Sequence, residues 1–197
     1  MAAFEAAPLS GGATRRFDVR VPGAQALAIA DVAVSPSGGY AAAVSARDAD
    51  GRHASFLAWL NSAGETTKIV RTTPYAAARI VFSVDGRLWA AGRAREADYS
   101  TSPVYDVVRV YGQDGIFQSS HVPSSLVPPT AGMHACSKCF FAGAAHGAVL
   151  VSETHGRAIF VDLQGRVTRQ ASLPASGERD FLTGIAVSYT HLTLPTN

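Results

Sequence analysis

Two cysteines and a histidine form the densest group of chemically capable side chains in the sequence. His134, Cys136 and Cys139 lie within one six-residue stretch. A Cys-x-x-Cys pair can bind zinc, but a structural zinc site takes four ligands, and no second Cys or His pair is near in sequence. Phe140 stands where a haem-attachment motif requires histidine. The βαβ context of a redox Cys-x-x-Cys is also missing.

These observations leave three interpretations of the cysteine pair open: a short-loop disulfide, two plain thiols, or metal or redox chemistry. In an extended chain the Cα atoms of Cys136 and Cys139 would lie roughly 10 Å apart, beyond the ~7 Å limit for a disulfide. Ser137-Lys138 suits a turn that would bring the sulfurs together. We therefore expect close sulfurs in a structural pair, with His134 as the one further ligand within reach.

Other motifs carry less chemistry. Asp48-Ala49-Asp50-Gly51 resembles the start of a calcium loop, but the later glutamate that such a loop needs is missing. A solvated hairpin tip accounts for the same residues. The sequence contains no Gly-x-Ser-x-Gly, no His-Glu-x-x-His and no phosphate-binding glycine loop. It therefore predicts no catalytic, cofactor-binding or metal-ligating residue.

The elements that would position any site are indicated by an internal repeat. Pro22, Pro74, Pro123 and Pro174 recur at intervals of about 50 residues, and a second series of Gly64, Gly115 and Gly165 keeps the same period. Two independent markers with one period of this length predict a propeller or a solenoid array. An ordinary β-sandwich with accidental spacing is the competing interpretation.

Each repeat has the pattern of four short strands. The first strand is an apolar run, which predicts burial on both faces, and the fourth is polar and ends at the repeated proline. Sheets of this kind are propeller blades. The predicted fold is therefore all-β: an incomplete β-propeller of about three four-stranded antiparallel blades with partial blades at both ends. The predicted bounds are a loose lead-in at 1–15, blades at 27–73, 78–123 and 138–174, and partial blades at 16–22 and 181–188.

The third repeat resembles a known family. Residues 151–167 contain an apolar strand after Arg157, then Asp162-Leu163-Gln164-Gly165 and a short polar strand. This order is similar to the blade core of NHL-type six-bladed propellers, although Glu153 replaces the family's usual aspartate. The resemblance extends over residues 16–188. It implies a six-bladed ring and a binding role, and it transfers no catalytic residue.

Function is expected on one face of the predicted propeller. Loops joining strand two to strand three lie on the same face as those joining one blade to the next, and these are the long loops, whereas the opposite face has tight glycine turns. We expect an unknown protein or small-molecule ligand on this loop-rich face. The candidate ligand residues are Tyr75, His134, His155 and Arg179.

The leading interpretation is a non-catalytic binding or protein-interaction propeller. The alternative is a propeller enzyme of the lactonase or lyase type, whose channel-mouth metal would be held by residues of further blades. The net charge is +2, and no basic cluster exceeds Arg15-Arg16, which argues against a nucleic-acid partner. No apolar run reaches the roughly 18 residues of a membrane span.

The two ends of the sequence predict little about compartment. The first residues lack the basic and apolar regions of a signal peptide, and localisation is left open. Residues 188–197 resemble a translated sequencing-adapter read, a string found at the ends of unrelated metagenomic protein sequences. We expect residues 189–197 to take no part in the fold.

Overall fold

The protein consists of strands arranged in consecutive antiparallel sheets. The computed structural model describes residues 2–6, 15–127, 136, 139–144, 146–152 and 156–173. A two-stranded sheet comes first and three four-stranded sheets follow, each in simple meander order. The strands are β1 (Ala2–Ala6) and β2 (Arg15–Val19); β3 (Ala26–Val34), β4 (Tyr40–Arg47), β5 (His53–Leu60) and β6 (Thr66–Arg71) in blade 1; β7 (Tyr75–Phe82), β8 (Leu88–Ala94), β9 (Asp106–Tyr111) and β10 (Phe117–Pro123) in blade 2; and β11 (Cys139–Ala144), β12 (Gly147–Ser152), β13 (Arg157–Asp162) and β14 (Val167–Ser172) in blade 3.

This architecture confirms the predicted fold class, an all-β incomplete propeller. The only helix in the described residues is a 3-10 turn, Ser124–Leu126. At the N-terminal end, β2 covers most of the predicted partial blade, but it pairs with β1, which lies in the predicted loose lead-in. The Phe17 and Val19 side chains of β2 are buried against blade 1. Because the backbone groups of a buried strand need hydrogen-bond partners, β2 pairs with β1. The predicted partial blade at 181–188 and the tail at 189–197 lie outside the described residues.

The burial of the inner strands differs from the prediction. Strand β3 is mostly half-buried or exposed, whereas the middle strands are the buried ones, as in Ala41–Val44 of β4. The physical reason is position: β3, β7 and β11 are sheet edges, each paired with one strand only. The polar fourth strands β6 and β14 are exposed as predicted.

Apolar side chains fill the spaces between successive sheets. Phe17 and Val44 lie between the two-stranded sheet and blade 1. Trp59 packs with Leu88 between blades 1 and 2, and Trp89 packs with Ile159 between blades 2 and 3. Both tryptophans are therefore interblade residues.

Polar groups join the blades at their inner edge. The Ile80 amide donates a hydrogen bond of 2.8 Å to the Asp31 carboxylate, and Arg79 Nε donates to the Cys139 carbonyl oxygen at 3.1 Å. Asp31 and Arg79 each follow a register shift in their own strand, so they take equivalent positions in blades 1 and 2. Burial raises the pKa of the Asp31 carboxyl, and the Ile80 hydrogen bond opposes that change.

The repeated glycines Gly64, Gly115 and Gly165 turn the chain and also lie against side chains of the preceding sheet. All three have φ near +80°. A Cβ on Gly64 would overlap the Phe17 ring, and one on Gly165 would overlap the His121 ring; both rings belong to the preceding sheet. Gly115 likewise faces Lys68, Val70 and Trp59 of blade 1. The period visible in the sequence is therefore the period of contacts between blades.

Candidate functional site

Tyr75, one of the four predicted ligand residues, is in the core and not on the loop-rich face. It is fully buried, and its hydroxyl lies 2.7 Å from both the Ala90 and the Val107 carbonyl oxygens. The Arg109 guanidinium lies 4.4 Å from the centre of its ring. Burial raises the pKa of the phenol well above its ordinary value. The prediction for this residue was wrong because Tyr75 opens β7 with its side chain facing inward.

The other three predicted ligand residues, His134, His155 and Arg179, lie outside the described residues. For them the assignment to a ligand-binding face stays a prediction.

The cysteine pair is buried and unbridged. Cys136 and Cys139 are both free thiols, so the disulfide left open by the sequence is not formed here. Cys139 Sγ lies 3.6 Å from the Cys136 carbonyl oxygen, to which it can donate. A hydrogen bond to the Cys139 side chain and burial raise the pKa of the Cys136 thiol well above its usual range. Burial in the core between blades 2 and 3 suits inert thiols, one of the predicted alternatives.

Three of the clefts lined by described residues lie on the loop-rich face and have similar sizes. One, of about 300 Å³, lies beside Pro22, Arg52 and Arg71, and another, of about 310 Å³, lies between Pro103 and Ser125. The third, of about 370 Å³, lies between blades 1 and 2; we call it the interblade cleft. Its lining residues are His53, Ala54, Ser55, Thr73, Pro74, Arg95, Glu96, Ala97 and Tyr99.

One residue of the interblade cleft has a backbone conformation that its type rarely adopts. Among the described residues, seven five-residue turns share one pattern: the first amide donates to the fifth carbonyl, and the fourth amide donates to the first carbonyl. The fourth position has positive φ in every turn. It is glycine in six of them, as the left-handed conformation favours, and Tyr99 with φ of 66° in the seventh. The turns are 35–39, 48–52, 61–65, 83–87, 96–100, 112–116 and 162–166.

The Tyr99 side chain reaches from blade 2 to blade 1. The His53 amide donates to the Tyr99 hydroxyl at 3.3 Å. The two rings meet edge to face, with centroids 5.5 Å apart. The Tyr99 residue nevertheless remains 47% exposed, so part of its surface is available to a ligand. Tyr99 and His53 thus form an aromatic wall at the mouth of the cleft.

Hydrogen bonds hold the rest of the cleft in shape. Thr73 Oγ1 accepts a hydrogen bond of 2.8 Å from the Ser55 amide. This bond ties the segment that follows β6 to the start of β5 within blade 1. Asp98 Oδ1 accepts from the amide and the hydroxyl of Ser100, at 3.0 and 2.6 Å. These bonds lower the pKa of the Asp98 carboxyl. The turn that carries Tyr99 is therefore built by local bonds and does not depend on a ligand.

A pair of arginines lies at the end of β8, with Arg93 inside the strand and Arg95 directly after it. Arg93 and Arg95 are two residues apart and close enough for the second charge to affect the first. Burial and, next, repulsion from Arg95 lower the pKa of Arg93. Arg95 lines the interblade cleft, and its Nε is buried without a hydrogen-bond acceptor.

A sequence signal for Tyr99 exists, although the motif analysis did not use it. The turn Glu96-Ala97-Asp98-Tyr99-Ser100 corresponds in blade 2 to Asp48-Ala49-Asp50-Gly51-Arg52 in blade 1. Comparing the two turns position by position places tyrosine where glycine is expected. Nothing local predicts the contact with His53, which is 46 residues away.

The described residues offer neither a metal-binding cluster nor a membrane-spanning helix. They contain no group of three or more His, Cys, Asp or Glu side chains that could hold a metal ion. In the same part of the chain, no helix has the length and apolar character needed to span a membrane.

The chain has little similarity to known proteins. No protein family matches it, and no curated protein does. One solved structure that it resembles is a protein of unknown function from Bacteroides caccae, with 12% sequence identity and a TM-score of 0.39. The match covers 80% of this chain and 64% of the other, so the chain spans less than two thirds of that protein. A likeness this distant carries no argument about function.

Proposed function

We propose that this protein is a non-catalytic binding propeller that takes a small ligand in the interblade cleft of its loop-rich face. The observation that carries the proposal is the conformation of Tyr99. A left-handed backbone at a non-glycine residue costs on the order of 1–2 kcal/mol, and such costs tend to persist where a side chain is needed for function. Six equivalent turns avoid the cost with glycine.

The surroundings of Tyr99 support binding at this place. The cleft combines an aromatic wall, a cation from Arg95 and backbone polar groups on a volume of about 370 Å³, which is within the range of small-molecule sites. The Tyr99 hydroxyl accepts a hydrogen bond from the His53 amide, and the Thr73 hydroxyl accepts one from the Ser55 amide. These bonds hold the walls of the cleft in place. Because these bonds shape the cleft and do not activate a nucleophile, they favour a binding role over the lactonase or lyase alternative.

The resemblance of blade 3 to NHL-type propellers adds a proposal about the complete ring. It implies six blades and a partner or ligand on one face. In the segment that carries this resemblance, Asp162 begins a five-residue turn, and Gly165 at its fourth position has the left-handed conformation.

The experiment is a ligand screen that uses the molecule's own controls. Uniformly ¹⁵N-labelled protein is titrated with a panel of monosaccharides, aromatic carboxylates, phenyl phosphate and aromatic amines, and amide shifts are followed by NMR. At least one class should shift the amides of His53 and Tyr99. The same titration of Tyr99→Gly should show that binding is lost, because glycine suits the backbone but removes the aromatic wall.

Phe117→Ala is the matched control. Phe117 is 50% exposed, close to the 47% of Tyr99, but it follows a tight glycine turn on the opposite face. Its removal should leave the titration unchanged. The proposal would be overturned if Phe117→Ala weakened ligand binding as much as Tyr99→Gly does. It would also be overturned if the shifted amides lay away from the interblade cleft.

A further inference from the structure

The cleft contains one guanidinium group, that of Arg95, which forms no ion pair among the described residues. Among the described residues, the ion pairs involve Arg16, Arg52, Arg87 and Arg166, each with an aspartate two or four residues away. Neither Arg93 nor Arg95 makes such a pair. Repulsion between Arg93 and Arg95 is unfavourable, and so is the burial of Arg95 Nε without an acceptor among the described residues.

The backbone holds Arg95 in a fixed place. Its amide donates to the Pro74 carbonyl oxygen at 3.0 Å, and it forms an isolated β-bridge with Thr101. Thr101 Oγ1 in turn accepts from Arg93 at 3.3 Å. These contacts tie Arg95 to the connection between blades 1 and 2. The backbone of Arg95 is therefore fixed in the wall of the cleft.

Guanidinium groups have a preferred class of partner. The planar fork matches the two oxygens of a carboxylate or phosphate, and charge-assisted bonds of this kind are stronger than neutral ones. An oxyanion in the cleft would pair with the guanidinium group of Arg95, whose buried Nε has no acceptor among the described residues. The aromatic wall of His53 and Tyr99 lies along the same cleft and suits a ring or a flat apolar group attached to that oxyanion.

We propose that the interblade cleft binds a small organic anion, a carboxylate or a phosphate ester, and that Arg95 pairs with its oxyanion while Tyr99 contacts its apolar part. This inference rests on the proposed function and names the ligand class for the same site. Glu96 also lines the cleft and opposes an anion there by its charge.

The test compares three probes of similar size on the unmodified protein. Benzoate and phenyl phosphate carry an oxyanion, and benzamide is neutral. Both anions should shift the amides of His53, Arg95 and Tyr99, and the dissociation constant of benzamide should be at least about 10-fold higher. The ratio of benzoate to phenyl phosphate affinity identifies which oxyanion the site favours.

Variants assign the effect to Arg95. Arg95→Met should weaken benzoate at least about 10-fold, and Arg95→Lys should weaken it less, because lysine keeps the charge but loses the fork. Glu96→Gln should tighten benzoate binding, since a like charge is removed. Arg169→Met in β14 makes the same change in net charge far from the cleft and should have no effect. If Arg95→Met fails to fold, the comparison of benzoate with benzamide still decides the proposal.

The outcomes separate this inference from the proposed function. Equal affinity for benzoate and benzamide at the cleft, or full affinity in Arg95→Met, overturns the anion proposal and leaves the binding function standing. Binding of a neutral sugar at the cleft, without binding of either anion, would likewise overturn the anion proposal and leave the binding function standing. If no probe of the wider panel binds the cleft, both proposals are wrong.

Discussion

The turns around Gly51 and Tyr99 have the same backbone and different surroundings. Each lies in the connection between the second and third strands of its blade. Each also has a left-handed residue at the fourth position, with φ of 80° at Gly51 and 66° at Tyr99. Around Gly51 a Cβ would meet nothing within 4 Å. The Tyr99 side chain instead bridges to the preceding blade at His53. The comparison shows that open space alone does not explain why blade 2 carries tyrosine.

The glycines of the opposite face add a third case. Gly64, Gly115 and Gly165 are confined both by their dihedral angle and by the preceding sheet, so no side chain fits there. At these three glycines the preceding sheet thus closes the fourth position of the turn, whereas at Gly51 on the loop-rich face that position is open. Only the second situation allows a side chain to be selected for binding.

The largest effect should come from adding one methyl group on the tight-turn face. Gly64→Ala combines left-handed strain with overlap of Phe17, which is 4% exposed and cannot move into solvent. We expect the free energy of unfolding to fall by about 2–4 kcal/mol, against about 1–2 kcal/mol for Gly51→Ala, where strain acts alone. Urea unfolding of both variants measures the difference. Equal losses at the two positions would show that the interblade contact is unimportant.

A smaller loss should follow removal of the Tyr75 hydroxyl. Tyr75→Phe removes the buried hydroxyl that lies within hydrogen-bond distance of the Ala90 and Val107 carbonyl oxygens. The free energy of unfolding should fall by about 1–2 kcal/mol. In the ligand titrations this variant should match the unmodified protein, because Tyr75 lies in the core. A change in ligand affinity without loss of stability would restore Tyr75 as a site residue.

At position 99 the usual order of glycine and alanine should be reversed. In ordinary strand or helix positions alanine is the more stable of the two by about 0.5–1 kcal/mol. Because φ at Tyr99 is 66°, Tyr99→Gly should be more stable than Tyr99→Ala by about 1 kcal/mol. Both variants lose the same contact with His53, so their difference isolates the backbone. The normal order would mean that position 99 is not left-handed.

The smallest effect concerns pH and His121, which lies beside Gly165 at the junction of blades 2 and 3. Burial lowers the pKa of His121, the nearby Arg87 lowers it further, and Asp106 and Asp162 oppose the change. The unfolded chain therefore binds more protons between the folded pKa and about 6.5. The free energy of unfolding should fall as pH decreases through that window. In His121→Gln the dependence should be flatter; an unchanged slope would exclude His121 as the cause.

The sequence predicted the fold well because its markers are local. A left-handed turn needs glycine whatever surrounds it, so the repeat of Gly64, Gly115 and Gly165 could be recognised without coordinates. The strand β1 was missed because Ala2–Ala6 has weak strand propensity and is held by its pairing with β2. Burial of the inner strands was overestimated because an apolar run does not show whether a strand is an edge.

The site was harder to predict because it depends on distant contacts. Tyr75 was placed on the loop-rich face by its position after Pro74, but its hydroxyl acceptors lie 15 and 32 residues further along the chain. Tyr99 becomes visible only when the turns of two blades are compared. Arg95 looks like any surface arginine in the sequence, because what distinguishes it is its place in the interblade cleft together with a buried Nε that has no acceptor among the described residues.

The most direct test of the account measures stability and binding together in Tyr99→Gly. Relief of the left-handed strain offsets the loss of a half-exposed ring, so the free energy of unfolding should stay within about 1 kcal/mol of the unmodified protein. Benzoate binding at the interblade cleft should nevertheless be lost. A variant that loses several kcal/mol of stability, or that still binds benzoate as well as the unmodified protein, would contradict a binding role for Tyr99.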